Sequence, residues 1–143
     1  MNGLPHLGAG WSFPVRWYEP VAESGSPSAG GVRVRTATGE DTVAQAVELV
    51  VRTAVGERVM RPDFGSTAHH HVFAASDAAS CHRLAHELRT ALLRCEPRAV
   101  VERLEAVADR EADGRVVVTV EYRTDPHRRP TNLVLPFHLE GGA

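Results

Sequence analysis

The sequence predicts an α+β fold: two main helices packed on a small, mainly antiparallel sheet. Two runs of apolar residues recur at helical spacing. They are Val43, Val47, Val50, Val51 and Ala54, then Leu84, Leu88, Ala91, Leu92 and Cys95. Beyond Pro97 the period changes to two. Val116, Val118, Val120 and Tyr122 share one strand face, and Leu133, Leu135, Phe137 and Leu139 share another. Two helices packed on such a sheet make an α+β domain. At 143 residues, one domain spanning 1–143 is the natural expectation.

Taken in order, residues 1–10 are glycine-rich and read as loose. Trp11 to Trp17 reads as a short strand, with Pro14 placing it at an edge or a bulge. Glu19 to Gly31 is rich in Ser, Gly, Pro and Ala and reads as a flexible loop. Val32, Val34 and Thr36 alternate with Arg33, Arg35 and Ala37, the pattern of a half-exposed strand. A helix begins at Asp41 or Thr42, where Thr42 and Gln45 fit a capping box, and it stops at Gly56. Ser76 or Asp77 caps the second helix, which Pro97 ends. Val100 to Val107 reads as a strand, although the pattern alone also fits a helix. Asp113-Gly114 signals a turn, and Asp125 to Pro130 is a charged turn. Pro136 removes a ladder donor, so the last strand belongs at an edge or bulge.

The net charge of −2 argues against broad binding to nucleic acid. All 16 basic residues are arginine, spread along the chain. Cys81 and Cys95 lie fourteen residues apart in one predicted helix, roughly 20 Å along its axis. They cannot bridge each other and read as small side chains in a reducing compartment. No basic segment leads into an apolar core near residue 1, so no signal peptide is expected, and no apolar run is long enough to span a bilayer.

Candidate chemistry is sparse. His69, His70 and His71 are consecutive, which on a strand points them to opposite faces, and the His82–His86 pair lacks the Glu of a zinc-protease helix because Arg83 follows His82. No metal site is expected. Glu96, Glu102 and Glu105 are available carboxylates, but nothing nearby marks an apolar pocket that would make one a general acid. No phosphate loop, nucleophile elbow or dinucleotide fingerprint is present. No catalytic residue or cofactor is assigned.

The most distinctive stretch is Gly56 to Gly65, Gly-Glu-Arg-Val-Met-Arg-Pro-Asp-Phe-Gly. By residue type it is a tight, salt-bridged connector between helices, with Val59, Met60 and Phe64 able to plug into a core. Glu96-Pro97-Arg98 is the second. A Glu at a helix C-terminus opposes the helix dipole, so a cation should compensate. Either Glu96 pairs internally with Arg98 or another arginine, or Pro97 presents Glu96 and Arg98 to a partner.

As a string, Gly56–Gly65 closely resembles the signature of the GPW/gene 25-like family, the baseplate wedge proteins of contractile phage tails and related injection machines. Gly10-Trp11-Ser12-Phe13-Pro14 resembles the family's opening strand. Glu96-Pro97-Arg98 resembles its Glu-Pro-Arg motif, and Asn132 to Phe137 its closing strand. The four matches occur in the family's order. The loop at about 19–31 is longer than the resemblance requires, and the Pro126–Pro130 turn is unusually rich in arginine.

The resemblance implies a non-enzymatic wedge component that links baseplate to sheath and initiates sheath polymerisation. It implies several copies per particle, six by analogy. The expected location is the bacterial cytoplasm, followed by incorporation into a tail-like particle. The implied partners are other wedge proteins, sheath subunits and the inner tube or spike hub, with no nucleic acid and no membrane. Glu96, Pro97 and Arg98 would dock on the wedge's helical core bundle, with Arg98 as the bidentate anchor. Asn132, Val134 and Phe137 in the terminal strand, together with Trp11 to Trp17, would contribute to the sheath joint, and Arg58 and Arg61 would add partner contacts. The alternatives are a regulatory adaptor of the same fold that binds one protein client, or a lysozyme-like hydrolase. The kind of machine (phage, type VI-like or extracellular injection system) is left open.

Overall fold

The computed structural model describes residues 5–19, 31–71, 77–111 and 114–138. It is α+β, with two helices and small antiparallel sheets. The chain divides into two units, Met1–Gln45 and Ala46–Ala143, with the cut inside the first helix.

The first unit opens with a 3-10 turn, Pro5–Leu7, followed by β1 (Ala9–Trp11), β2 (Trp17–Tyr18), β3 (Arg33–Val34) and β4 (Thr36–Thr38). β1 pairs antiparallel with β4, and β2 with β3. The single strand expected over Trp11 to Trp17 is therefore corrected: Ser12 to Arg16 leave the ladder and stand opposite Arg35 alone. The Ser12 amide donates to the Arg35 carbonyl at 2.8 Å, and the Arg35 amide donates to the Arg16 carbonyl at 2.8 Å. Pro14, which has no N–H, sits inside the detour after a cis Phe13–Pro14 peptide. The interruption also breaks the alternation expected over 32–37: half-buried Val34 and buried Ala37 are three residues apart.

Helix α1 spans Glu40–Arg52. Its entry differs from the expected capping box. Gly39, at φ +60°, makes the turn, and its carbonyl accepts from the Thr42 amide at 3.2 Å. Thr42 falls inside the first helical turn, where its hydroxyl is buried and unpartnered among the described residues. Gln45 is diverted to the detour, accepting from the Phe13 amide at 2.9 Å. The expected apolar stripe holds, with Val43, Val47, Val50 and Val51 buried.

In the second unit, helix α2 spans Ala78–Cys95. Asp77 is its N-cap, accepting from the Ser80 amide at 2.7 Å. That bond is the main reason the Asp77 carboxyl titrates below its ordinary value. Ser76, the other candidate cap, lies outside the described residues, as does nearly all of the 19–31 loop. Cys81 is buried on α2, and both cysteines are free thiols.

Three strands follow: β5 (Val100–Ala108), β6 (Arg115–Arg123) and β7 (Thr131–His138), an antiparallel meander in the order β5-β6-β7. The strand reading of 100–107 is the correct one. Leu84, Leu88 and Leu92 of α2 are fully buried, as are Val116, Val118, Val120 and Tyr122 of β6, and α2 packs along β5. A bulge between Val101 and Arg103 leaves Glu102 without a register partner. Arg89 of α2 donates to the carbonyls of Val101 (3.0 Å) and Glu102 (3.4 Å), joining helix to bulge. Around the β5–β6 turn, Asp109 accepts from the Glu111 amide at 2.9 Å and from Arg115 Nε at 2.6 Å.

Candidate docking surfaces

The Gly56–Gly65 stretch is a closed loop with a tied neck. Ala54 and Ser66 form a parallel bridge, flanked by bonds from the Ser66 amide to the Thr53 carbonyl (2.9 Å) and from the Val55 amide to the Ser66 carbonyl (3.1 Å). The Gly56 amide crosses the loop to the Pro62 carbonyl at 2.9 Å, and the Glu57 carboxylate accepts from the Ala54 amide at 2.9 Å. The Arg58 guanidinium lies 3.9 Å over the Phe64 ring, a cation–π contact, and Arg61 Nε reaches Asp63 at 3.4 Å. Most of the polar residues therefore hold the loop in shape. Its apolar tip does the opposite of what sequence reasoning expects: Val59 is 92% exposed and Met60 89%. Phe64 alone turns partly inward. The missed signal is that Val59 and Met60 have no periodic apolar partner and sit among charges.

The second surface adjoins the first through Arg94, which donates to the Gly65 carbonyl at 3.2 Å from the last turn of α2. Just beyond it, Glu96 is buried and its amide closes the helix on Leu92 O. Arg98 Nε and Nη2 each approach one Glu96 carboxylate oxygen at 2.6 Å, a bidentate pair. Arg98 is thus the cation that compensates Glu96 at the helix C-terminus, and the hydrogen bonds to Glu96 raise the Arg98 pKa above its ordinary value. The internal reading of the motif is realised. Glu96 faces inward and orients Arg98, which retains about a third of its side-chain exposure. Pro97, Leu93 and Val100 are exposed in the same stretch.

The third surface is β7. Asn132 and Val134 are exposed on the outer sheet face, opposite Glu121 and Thr119 of β6. Phe137 points the other way, half-buried, with His69 edge-on to its ring at 6.1 Å. The predicted strand residues thus split between two faces. Among the described residues β7 has one paired neighbour, β6.

His69 and His70 lie on a 3-10 turn, Ala68–His71, rather than a strand, and no group of three metal-ligating side chains occurs among the described residues. The three carboxylates weighed for hydrolysis are each held by an arginine: Glu96 by Arg98, Glu102 by Arg123 at 2.8 Å, and Glu105 by Arg103 at 2.7 Å. Glu96 is buried, while Glu102 and Glu105 keep 36% and 49% of their side-chain exposure. Among the described residues, no helix is long and apolar enough to cross a membrane.

The sequence model of a family described as baseplate wedge protein gp25 matches residues 37–128. A crystal structure from Geobacter sulfurreducens, provisionally labelled a tail lysozyme, is 36% identical with a TM-score of 0.65. That match covers 73% of this chain and 94% of the other. A chain of the six-fold symmetrised cryo-EM structure of the anti-feeding prophage baseplate is 25% identical with a TM-score of 0.68. It covers 85% of this chain and 90% of its own. No curated protein gives a significant match.

Proposed function

Given that the chain belongs to the baseplate wedge protein gp25 family, we propose that it is a structural wedge component that couples the baseplate of a contractile tail-like particle to its sheath. Family membership supports incorporation into such a particle alongside other baseplate proteins, and a non-enzymatic role. The finer reading gives each surface a task. Arg98, aimed by Glu96 and set among exposed Leu93, Pro97 and Val100, docks on the helical core bundle of the wedge. The Val59–Met60 tip, with Arg58 and Arg61 beside it, inserts into a neighbouring wedge or hub protein. The edge of β7 away from β6, at Asn132 and Val134, accepts a sheath strand and starts the first sheath ring. Both units act as one baseplate domain, present in six copies and assembled in the cytoplasm.

The observation that carries this reading is the loop tip. A rigid, self-tied loop leaves two large apolar side chains almost wholly in water. Such exposure is a liability in a free protein and a contact in an assembly. The regulatory adaptor shares the fold but predicts no association with particles.

Electron microscopy of particles tests the proposal, with the native chain compared against Val59→Asp/Met60→Asp and against Val134→Lys. All three positions are exposed, so the variants keep their fold. The loop variant is expected to be missing from particles. Val134→Lys is expected to yield tubes and baseplates without attached sheath. Normal sheathed particles from both folded variants would overturn the proposal.

A further inference from the structure

An antiparallel sheet with one solvated face alternates apolar residues inward and polar residues outward. In β6 the inward set is Val116, Val118, Val120 and Tyr122, all buried. The strand register fixes which residues share the opposite face. Val117 stands between Val107 of β5 and Pro136 of β7. In the next row of that face Thr119 stands between Glu105 and Val134, and in the row after it Glu121 stands between Arg103 and Asn132. The first of these rows is apolar across all three strands, where polar residues belong. Val107 is 60% exposed, Pro136 is exposed and Val117, on the central strand, is half-buried. The charges around this row do not balance. Arg103 pairs with Glu105 at 2.7 Å, Arg123 with Glu102 at 2.8 Å, and Arg115 with Asp109. Each arginine of the face is thus matched by a carboxylate. Glu121, half-buried at the end of the face away from Val117, is left without a cation or a donor among the described residues.

We infer that this outer sheet face seats an amphipathic helix of a neighbouring protein in the assembled particle, with apolar residues on the Val107–Val117–Pro136 row and a Lys or Arg on Glu121. The inference rests on the baseplate reading, and it uses residues that the loop tip, Arg98 and the edge of β7 do not. The unmatched carboxylate sets the sign of the partner, because a basic residue supplies the charge that Glu121 lacks here. The dimensions suit a helix. Two strand spacings, about 10 Å, separate Val107 from Pro136, which is the width of a helix with its side chains. The step from Val117 to Glu121 along β6 is about 13 Å, so the partner's base stands about nine helical residues from its contact with Val117. A helix laid there completes a third layer on a sheet whose other face is already buried. A second copy of this chain fits less well. The same face turned against itself brings another Glu121 and no spare cation, since its arginines are matched in the same way.

The test places photoreactive p-benzoylphenylalanine at Val107 in cells that assemble the particle. Purified particles are irradiated and the cross-linked peptide is sequenced by mass spectrometry. The expected result is one other particle protein, cross-linked through a peptide with apolar residues at three- and four-residue spacing and a Lys or Arg about nine residues from the cross-link. Adding Glu121→Lys is expected to reduce the cross-link about tenfold, and changing that partner base to Glu in the same cells is expected to restore most of it. Glu121→Gln, which keeps the shape of the side chain, is expected to reduce it severalfold with circular dichroism unchanged, and it decides the matter if Glu121→Lys does not fold. If particles contain the chain but give no cross-link, or one to a second copy, to another segment of the same chain, to an acidic peptide or to lipid, the inference falls and the baseplate reading stands. An undiminished cross-link in the folded Glu121 variants would also overturn it. Particles that lack the chain altogether would overturn the baseplate reading itself, and this inference with it.

Discussion

A β-carbon on Gly65 would stand 2.4 Å from the carbonyl oxygen of Thr53, closer than any side chain is tolerated. Gly65 also has φ +107°, in the region that only glycine occupies easily. The neck of the 56–65 loop closes only because two backbones touch here. Gly65→Ala should therefore cost at least about 2 kcal/mol in urea unfolding. Gly56→Ala, at φ +88° with nothing within 4 Å of its would-be β-carbon, should cost about 1 kcal/mol. Equal losses at both positions would show that torsion, and not close approach, sets the requirement.

This loop shows what sequence reading can and cannot reach. The glycines at 56 and 65 announce a bent backbone, and both take positive φ. Likewise the period of Leu84, Leu88 and Leu92 identifies α2, and the alternation from Val116 to Tyr122 identifies β6. These signals are local and repeat along an element. The direction in which Val59 and Met60 point is not local. It depends on where the neck closes, and apolar residues are assigned to cores by default. The detour at Ser12–Arg16 escaped for a similar reason. Pro14 signals an interruption, but only the pairing partner, Arg35, defines how many residues leave the ladder. The Gln45 side chain could have capped its own helix in isolation. It was taken by an amide 32 residues away.

Glu96 and Arg98 are predicted to be coupled energetically before they are coupled to any partner. The Glu96 side chain is 6% exposed and that of Arg98 35%, so removing either leaves the other poorly compensated. Partial exposure of Arg98 lowers the penalty below that of a fully buried pair. Glu96→Ala and Arg98→Ala should each cost about 2 kcal/mol. The double variant should cost clearly less than their sum in a denaturation cycle. Arg98→Lys should recover only part of the loss, because a lysine cannot make the two parallel bonds. Additive effects would show that the two side chains act on the fold independently, and would overturn the coupling of the pair.

Asp109 sets the acid sensitivity of the β5–β6 turn. The Glu111 amide, then the Arg115 side chain, hold its carboxyl below the ordinary 3.8. A depressed folded pKa means that the unfolded chain takes up the proton first. The stabilisation is therefore fully present above 3.8 and is lost as pH falls through the folded value. Asp109→Asn keeps an acceptor for Glu111 but cannot titrate. The native chain should be the more stable of the two at neutral pH. The gap should stay constant at pH values well above 3.8 and close as the pH falls below it, read from urea midpoints across the range. A gap that widened on acidification would contradict the assignment.

The Arg89 clamp explains how a bulged edge strand is kept on its helix. A bulge frees carbonyls from the ladder, and a buried carbonyl without a donor is costly. Arg89 supplies both donors, to Val101 and Glu102. Meanwhile the Glu102 side chain turns to Arg123, which also donates to the Pro126 carbonyl at 3.0 Å. The bulge is thus held from the helix side by Arg89 and from β6 by Arg123. Arg89→Met preserves the aliphatic stem and removes the donors. It should cost about 1 to 2 kcal/mol and speed amide hydrogen exchange selectively in residues 100–104. Faster exchange throughout β6 and β7 as well would mean that Arg89 stabilises the sheet as a whole, and the local clamp would be the wrong description.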